Sequence, residues 1–267
     1  MEWAFLSDVE LYYTNQPVID NSIRIEGEEC HHIVDVMRHK VGDEIFITDG
    51  FGVIYQSNIS AVEKKKIIAG IIDSKKYENK FSNVWFCVPR LKSAERFEFA
   101  LEKSVELGIT NFIVFDSKRT VTKGAKIERW RKILLAAMKQ SLRAWLPNIS
   151  YAKSIYEIAN ACGEKIFFDQ NASQTFQQFL SANTQSILRK SAKGGFGPSE
   201  KADSYYFLFG PEGGFTEEEL KTCLLCLPDR QETGKMANSV LRIRLTENRL
   251  RSETAIVTAA SILSTYL

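Results

Sequence analysis

Cysteine is sparse and unpaired in this chain: five residues, an odd number, at spacings that form no framework. That excludes a disulfide-stapled scaffold and points to reduced thiols. Histidine is scarcer still, at three. His31-His32 has only His39 as a further candidate ligand, so no metal site is expected. Cys223 and Cys226 have CxxC spacing, but the pair encloses Leu224-Leu225 and has no second pair. Core cysteines are the better reading than zinc or redox chemistry. No apolar run reaches about eighteen residues, and no basic-then-apolar signal opens the chain, so a soluble cytoplasmic protein without membrane contact is expected. An excess of one charge sign is also missing: 35 basic residues against 33 acidic leave +2. A nucleic-acid partner would therefore have to be met by a local cluster. Internal repeats and low-complexity tracts are absent. What remains is an ordinary globular composition over 267 residues, room for one large domain or two modest ones.

Up to about residue 72 the pattern is that of short strands. Ser22–Glu26 and Glu44–Thr48 alternate, as half-buried strands do. Asp49-Gly50 and Gly52 signal a turn, followed by strands at Val53–Tyr55 and Lys66–Ile72. One short helix is expected over Glu28–Met37, with Ile33, Val36 and Met37 on its apolar face. Arg38, His39 and Lys40 would end it facing solvent, where cations suit either the helix dipole or an RNA. A small β-barrel with one helix is the plain reading. Residues 73–82 are polar and charged and read as a linker.

From residue 83 to 267 the pattern turns to α/β. Val84–Val88 is a continuous apolar strand, and Ser93–Leu107 is an amphipathic helix that buries Phe97, Ala100, Leu101, Ser104 and Val105 and stops at Gly108. Strand Phe112–Phe115, helix Ile127–Leu142, strand Lys165–Asp169 and a helix over Ser173–Leu180 follow. Alternation of this kind predicts a largely parallel sheet covered on both faces. Residues 190–204 are Gly/Ser/Lys-rich and read as a mobile loop, a lid over the ligand loop or, in preference, a surface insertion. Strand Tyr205–Phe209, helix Thr216–Leu227, strand Ser239–Leu245 and a final helix Ser252–Tyr266 complete the chain. That last helix is so rich in small and apolar residues that burial against another element, a dimer partner included, is expected.

The chain is organised around Gly210-Pro-Glu-Gly-Gly-Phe215, which joins a buried strand to a helix. Its glycines permit close backbone approach, and Thr216 with Glu219 forms a capping box. A strand, a backbone-lined loop and a helix N-terminus make a seat for a polar small molecule. No Gly-Lys-Ser/Thr follows, so this is not the common phosphate loop, and the spacing is not that of a dinucleotide fingerprint. Order alone puts the pocket where the strand ends at Asp169-Gln170, Gly210–Gly214 and Leu245–Leu250 meet.

Together with Leu250-Arg-Ser-Glu-Thr-Ala255, this loop resembles the ribosomal RNA small subunit methyltransferase E family. The likeness runs through His31-His32, Val36-Met-Arg38, Pro89-Arg-Leu-Lys92, Glu106-Leu-Gly108 and Gln140-Ser141 in the same order. The resemblance implies S-adenosylmethionine-dependent methylation of uridine N3 in 16S rRNA. It also implies a PUA-like RNA-binding barrel (1–72), a SPOUT-type domain with a C-terminal trefoil knot (83–267), a homodimer and an assembled small ribosomal subunit as substrate. The cofactor would lie on Asp169, Phe209, Gly210, Pro211, Glu212, Gly213, Gly214, Leu245, Thr246, Asn248 and Leu250. Two positions depart from the family pattern: Thr246 and Leu142 stand where glycine is common.

Methyl transfer to N3 displaces a proton and spreads negative charge over the uracil oxygens, so a cation is needed there. Arg251 is the first candidate, Arg143 and Arg96 the second, with Glu253, Glu212 or solvent as the base. The residues expected to grip RNA are Arg38, Arg90, Lys92, Arg96, Lys103, Arg119 and Lys139, which are basic, and Gln140. A SPOUT enzyme acting on a ribose hydroxyl, or a non-catalytic RNA-binding factor, is the competing reading.

Overall fold

The computed structural model describes residues 9–188, 204–225 and 241–266. The expected insertion at 190–204, except Ser204, lies outside them, as do Cys226, the end of the helix expected to reach Leu227 and the start of the strand expected from Ser239. The chain divides into two compact units, 1–79 with 135–146 and 80–134 with 147–267.

The first unit holds β1 (Leu11–Tyr13), β2 (Ser22–Glu26), α1 (Glu28–His31), β3 (Glu44–Thr48), β4 (Val53–Glu63) and β5 (Lys66–Lys76). The sheet order is β1-β3-β4-β5-β2, antiparallel except for the β1–β3 pair. The edge strands approach each other, for Thr14 just past β1 donates its hydroxyl to the Arg24 carbonyl of β2 at 2.7 Å. Irregular pairing at Gln56/Ser57 and Ile59/Ala61 bends the two long strands, as a curled sheet requires. Ile23, Ile25, Ile45, Ile47, Ile59 and Ile67 form its core with Ile33.

Three differences from the sequence reading have physical causes. The expected helix does form, but α1 continues as a π-helix over His32–Val36, closed by Met37 N–H to the His32 carbonyl. The wider turn moves Val36 and Met37 off the Ile33 face, and they are 56% and 39% exposed. Asp73–Lys76, expected in a linker, are the end of β5 and pair with Val53–Gln56. Their polar composition reflects exposure of that strand end. Residues 135–146 join this unit, which no break in the helical periodicity announced.

Gly52 is constrained by sterics. Its φ is +94°, and an added Cβ would lie 2.4 Å from the Trp145 ring. That ring is fixed by its Nε1 hydrogen bond to the Tyr77 carbonyl, 3.0 Å. Gly52→Ala is expected to destabilise the protein by roughly 2–3 kcal/mol in denaturant titration. An unchanged midpoint would mean that the ring moves aside freely.

The second unit carries β6 (Val84–Pro89), α2 (Ala94–Glu106), β7 (Asn111–Phe115), α3 (Ile127–Gln140, whose end belongs to the first unit), β8 (Asn148–Ala152), α4 (Ile155–Ala159), β9 (Glu164–Phe168), α5 (Phe176–Ile187), β10 (Tyr205–Leu208), α6 (Glu217–Leu225), β11 (Leu241–Ile243) and α7 (Ser252–Tyr266). All six strands are parallel, in the order β11-β9-β10-β6-β7-β8. Both faces are covered, so Tyr205-Tyr-Phe-Leu208 is buried without alternation. On one side Tyr206 and Leu208 pack with Trp85, Cys87 and Phe167. On the other, Phe207 meets Phe86, Phe176 and Phe179 edge-on. Helix α2 buries the five residues its periodicity predicted, with Ser93 as N-cap and Gly108 at φ +98° after its end. β8 and α4 were not anticipated. α5 begins later than expected because a capping box of Thr175 with Gln178 sets its start. α7 spans the expected residues, and its buried Ile256, Ala259, Ala260 and Leu263 are covered within the chain, which packs α7 against α2 and α5.

Candidate functional site

The expected pocket forms in the second unit, at the C-terminal ends of β9, β10 and β11. After Leu208 the chain is still held to the sheet by the Phe209 N–H to the Cys87 carbonyl, 3.1 Å. It then turns sharply, closed by Gly214 N–H to the Pro211 carbonyl at 2.8 Å, with Gly214 at φ +68°. The start of α7 closes on this loop: Ser252 Oγ donates to the Gly210 carbonyl, 2.7 Å. Glu212 accepts the Lys92 N–H at 3.0 Å, tying the loop to the end of β6.

A cleft of about 780 Å³ opens there, a size that suits a nucleoside-bearing ligand. One wall is aromatic: Phe168 stacks on Phe209 at 4.7 Å, and Phe215 meets Phe167 edge-on at 5.2 Å. The rim carries Arg96, Arg242, Arg249 and Arg251 together with Asp169, Glu212, Glu217 and Glu253. Two pairs cross it, Arg242 to Asp169 at 3.3 Å and Arg96 to Glu253 at 3.6 Å.

Asp169, Phe209, Gly210, Pro211, Glu212, Gly214, Leu245, Thr246, Asn248 and Leu250 all line the cleft, as do Arg251, Glu253 and Arg96. Gly213 does not; it faces Arg119. Arg143 belongs to the first unit and is not among the lining residues. Thr246 has no positive φ, and its hydroxyl closes the turn by donating to the Asn248 carbonyl at 2.8 Å. Glycine is therefore not required there. Leu142, by contrast, sits at φ +55° after α3, a left-handed position that favours glycine. Arg249 lies in the expected Leu245–Leu250 loop, whereas sequence reading missed Phe168, Arg242 and Asn171. Their signal was only their place beside the expected strand ends.

The RNA candidates separate. Arg38 is exposed at φ +62°, and Lys92, Arg96, Arg119 and Gln140 are exposed. Lys103 is held by Glu102 and Glu106, both at 2.8 Å, and Lys139 by Glu29 at 2.8 Å. Arg90 is a correction: it is 2% exposed, its guanidinium lying 5.1 Å from the Phe97 ring centre and 5.0 Å from that of Trp130. A cation stacked between two core rings is structural. Cys87 and Cys223 are buried, and burial pushes the Cys87 thiol up, which fits inert core cysteines. Among the described residues no cluster could hold a metal, and no helix is long and apolar enough to cross a membrane.

Glu219 completes the site's scaffold. It is buried, and burial alone would raise its pKa. Hydrogen bonds from the Thr216 and Lys118 backbone and from the Ser117 and Thr216 hydroxyls outweigh that and hold it below the usual carboxylate value. A depressed folded-state pKa gives stability that is complete above the unfolded value, roughly 4.3, and lost as pH falls through the folded value. Glu219→Gln is therefore expected to melt below wild type at neutral pH, with the gap narrowing under acid. A gap independent of pH would contradict this.

Residues 78–264 match the family described as RNA methyltransferase domain, and residues 25–72 match the RNA methyltransferase PUA domain. The ribosomal RNA small subunit methyltransferase E of Bacillus subtilis is 28% identical over 207 residues, covering 74% of this chain and 76% of that protein. Its counterpart in Rickettsia conorii is 26% identical over 250 residues, covering 92% and 91%. A crystal structure of the Neisseria gonorrhoeae ribosomal RNA small subunit methyltransferase E bound to S-adenosyl methionine shares the fold. Its TM-score is 0.74 at 22% identity, over 97% of this chain and 98% of that one. With a methyltransferase domain over most of its length, a PUA domain before it and relatives of one kind, the chain belongs to the ribosomal RNA small subunit methyltransferase E family.

Proposed function

We propose that this protein transfers a methyl group from S-adenosylmethionine to N3 of a uridine in 16S rRNA. The observation that carries the reading is the cleft at the ends of β9, β10 and β11, with the Gly210–Gly214 loop on one side and Arg251 on its rim. The residues suit the cofactor. Gly214 at φ +68° lets the turn form without a side chain, and the aromatic wall of Phe168 and Phe209 can face an adenine. The charged rim can meet an amino-acid moiety.

When bound, the cofactor supplies an electrophilic sulfonium methyl. The chain's own tasks are to align N3 with it at roughly 3–3.5 Å and to stabilise the charge that moves onto uracil O2 and O4 as the N3 proton leaves. Arg251, on the rim of the cleft, is the residue proposed for the second task. Arg96 and Asp169 are already engaged in ion pairs on the rim, and Glu253 is held by Arg96, so solvent is the simplest acceptor for the proton. The exposed Lys92 remains to meet phosphate in this unit, and Arg38 in the PUA unit. Arg143, also expected in catalysis, would act on RNA from the first unit.

With a net charge of only +2, selectivity rests on shape. The assembled small subunit is thus the proposed substrate, and equal rates on deproteinised rRNA would contradict it. A homodimer is proposed from the family resemblance, to be checked by sedimentation. Calorimetric titration of S-adenosylmethionine into the full chain tests the enzymatic reading. Saturable binding at one site per chain is expected. No measurable binding would leave a non-catalytic RNA-binding factor as the better account.

A further inference from the structure

The connection from β7 to α3 is built onto the glycine loop rather than left to solvent. Glu219 Oε1 accepts from Ser117 Oγ at 2.8 Å and from the Lys118 N–H at 2.9 Å. Its Oε2 accepts from the N–H and hydroxyl of Thr216 at 2.8 and 2.9 Å. One buried carboxylate therefore joins the end of the glycine loop to a segment about a hundred residues earlier in the chain, as the separation of 102 between Ser117 and Glu219 records. Arg119 adds a second tie: its Nη1 donates to the Gly213 carbonyl at 2.6 Å. Its stem lies so close that a Cβ on Gly213 would sit 3.2 Å from Arg119 Cβ and Cδ.

The connection is itself braced. Ser117 N–H donates to Thr120 Oγ1 at 3.0 Å, and Asp116 accepts from Gly124 N–H and from the Tyr151 hydroxyl. It can therefore act as a fixed platform. The loop's own closure, by contrast, is one backbone hydrogen bond between Pro211 and Gly214.

We propose that Arg119 and Glu219 are positioning residues. Through them the β7–α3 connection holds Gly213–Thr216 in the shape that receives the cofactor. This rests on the proposed function for the identity of the ligand. It also reassigns Arg119, which charge alone marked for RNA: its guanidinium is committed to a loop carbonyl. Neither residue lines the cleft.

The test is calorimetric titration of S-adenosylmethionine, without RNA, into full-length wild type, Arg119→Ala, Arg119→Lys and Glu219→Gln, with hydrogen exchange of residues 210–216 in the free proteins. Loss of a charge-assisted hydrogen bond is expected to raise the Kd of Arg119→Ala about tenfold. Arg119→Lys, which keeps a donor, should recover part of that. Exchange in the loop should quicken while the melting temperature of Arg119→Ala stays near wild type, since the side chain is exposed. Glu219→Gln should weaken cofactor binding as well. The proposal is overturned if Arg119→Ala binds the cofactor as wild type does and loses only affinity for RNA, with a shallower salt dependence. A wild type that binds no S-adenosylmethionine contradicts the functional reading instead. The exchange result then still decides whether the connection positions the loop.

Discussion

Replacing Arg251 with alanine is expected to lower kcat for methyl transfer by about 10²–10³-fold, the range seen when one donor aimed at developing charge is removed. Arg251 is exposed at the start of α7 and lines the cleft. On the same rim Arg96 and Arg242 are held by Glu253 and Asp169, whereas no acid among the described residues pairs with Arg251. Its charge is therefore available for the role proposed for it, meeting the uracil oxygens as the N3 proton leaves. The affinity for S-adenosylmethionine should change far less than kcat. Arg251→Lys should recover only part of the rate, because an ammonium lacks the planar fork that meets two oxygens. The measurement is steady-state methyl transfer at saturating cofactor with the RNA concentration varied. A normal kcat with a raised KM for RNA would make Arg251 a phosphate contact and leave the charge-stabilising role vacant.

Arg90→Ala is expected to destabilise the protein by roughly 3 kcal/mol, as an emptied buried site with lost stacking does. The guanidinium lies between Phe97 and Trp130, with Asp116 and Glu98 as acids favouring its charge. Burial lowers its pKa, so part of what the stack contributes is offset by desolvation. Arg90→Met, which keeps much of the volume and has no charge to desolvate, should therefore lose less than Arg90→Ala. Denaturant titration of both variants checks this. RNA affinity measured on folded Arg90→Met should match wild type. A stable Arg90→Ala protein with impaired RNA binding would restore the surface role that the sequence suggested.

That contrast shows where sequence reading stops. Helix α2 was legible because Phe97, Ala100, Leu101, Ser104 and Val105 repeat at helical spacing, and all five are buried. The glycine loop was legible because Gly214 needs a positive φ and the Thr216–Glu219 box is local chemistry. Most of the cofactor candidates follow from that loop and the two strand ends beside it. Arg90 was misread since charge is a property of the residue type, while its burial depends on two rings supplied by later helices. Val36 and Met37 were misread because periodicity assumes an α-helical turn and the chain takes a π-helical one. The strand over Asp73–Lys76 was hidden by its exposure, and the inclusion of 135–146 in the first unit has no local signature at all. Glu219 was assigned only its helix cap. Its bonds to Ser117 and Lys118 join segments far apart in the chain, and no window of sequence holds both.

The most direct test of the account is methyl incorporation from labelled S-adenosylmethionine into small ribosomal subunits that lack the modification, followed by mass spectrometry of the nucleosides. The expected product is 3-methyluridine that depends on this protein and falls with Arg251→Ala. A methylated nucleoside of another kind, such as a 2′-O-methyl product, or no product on intact subunits, would contradict it.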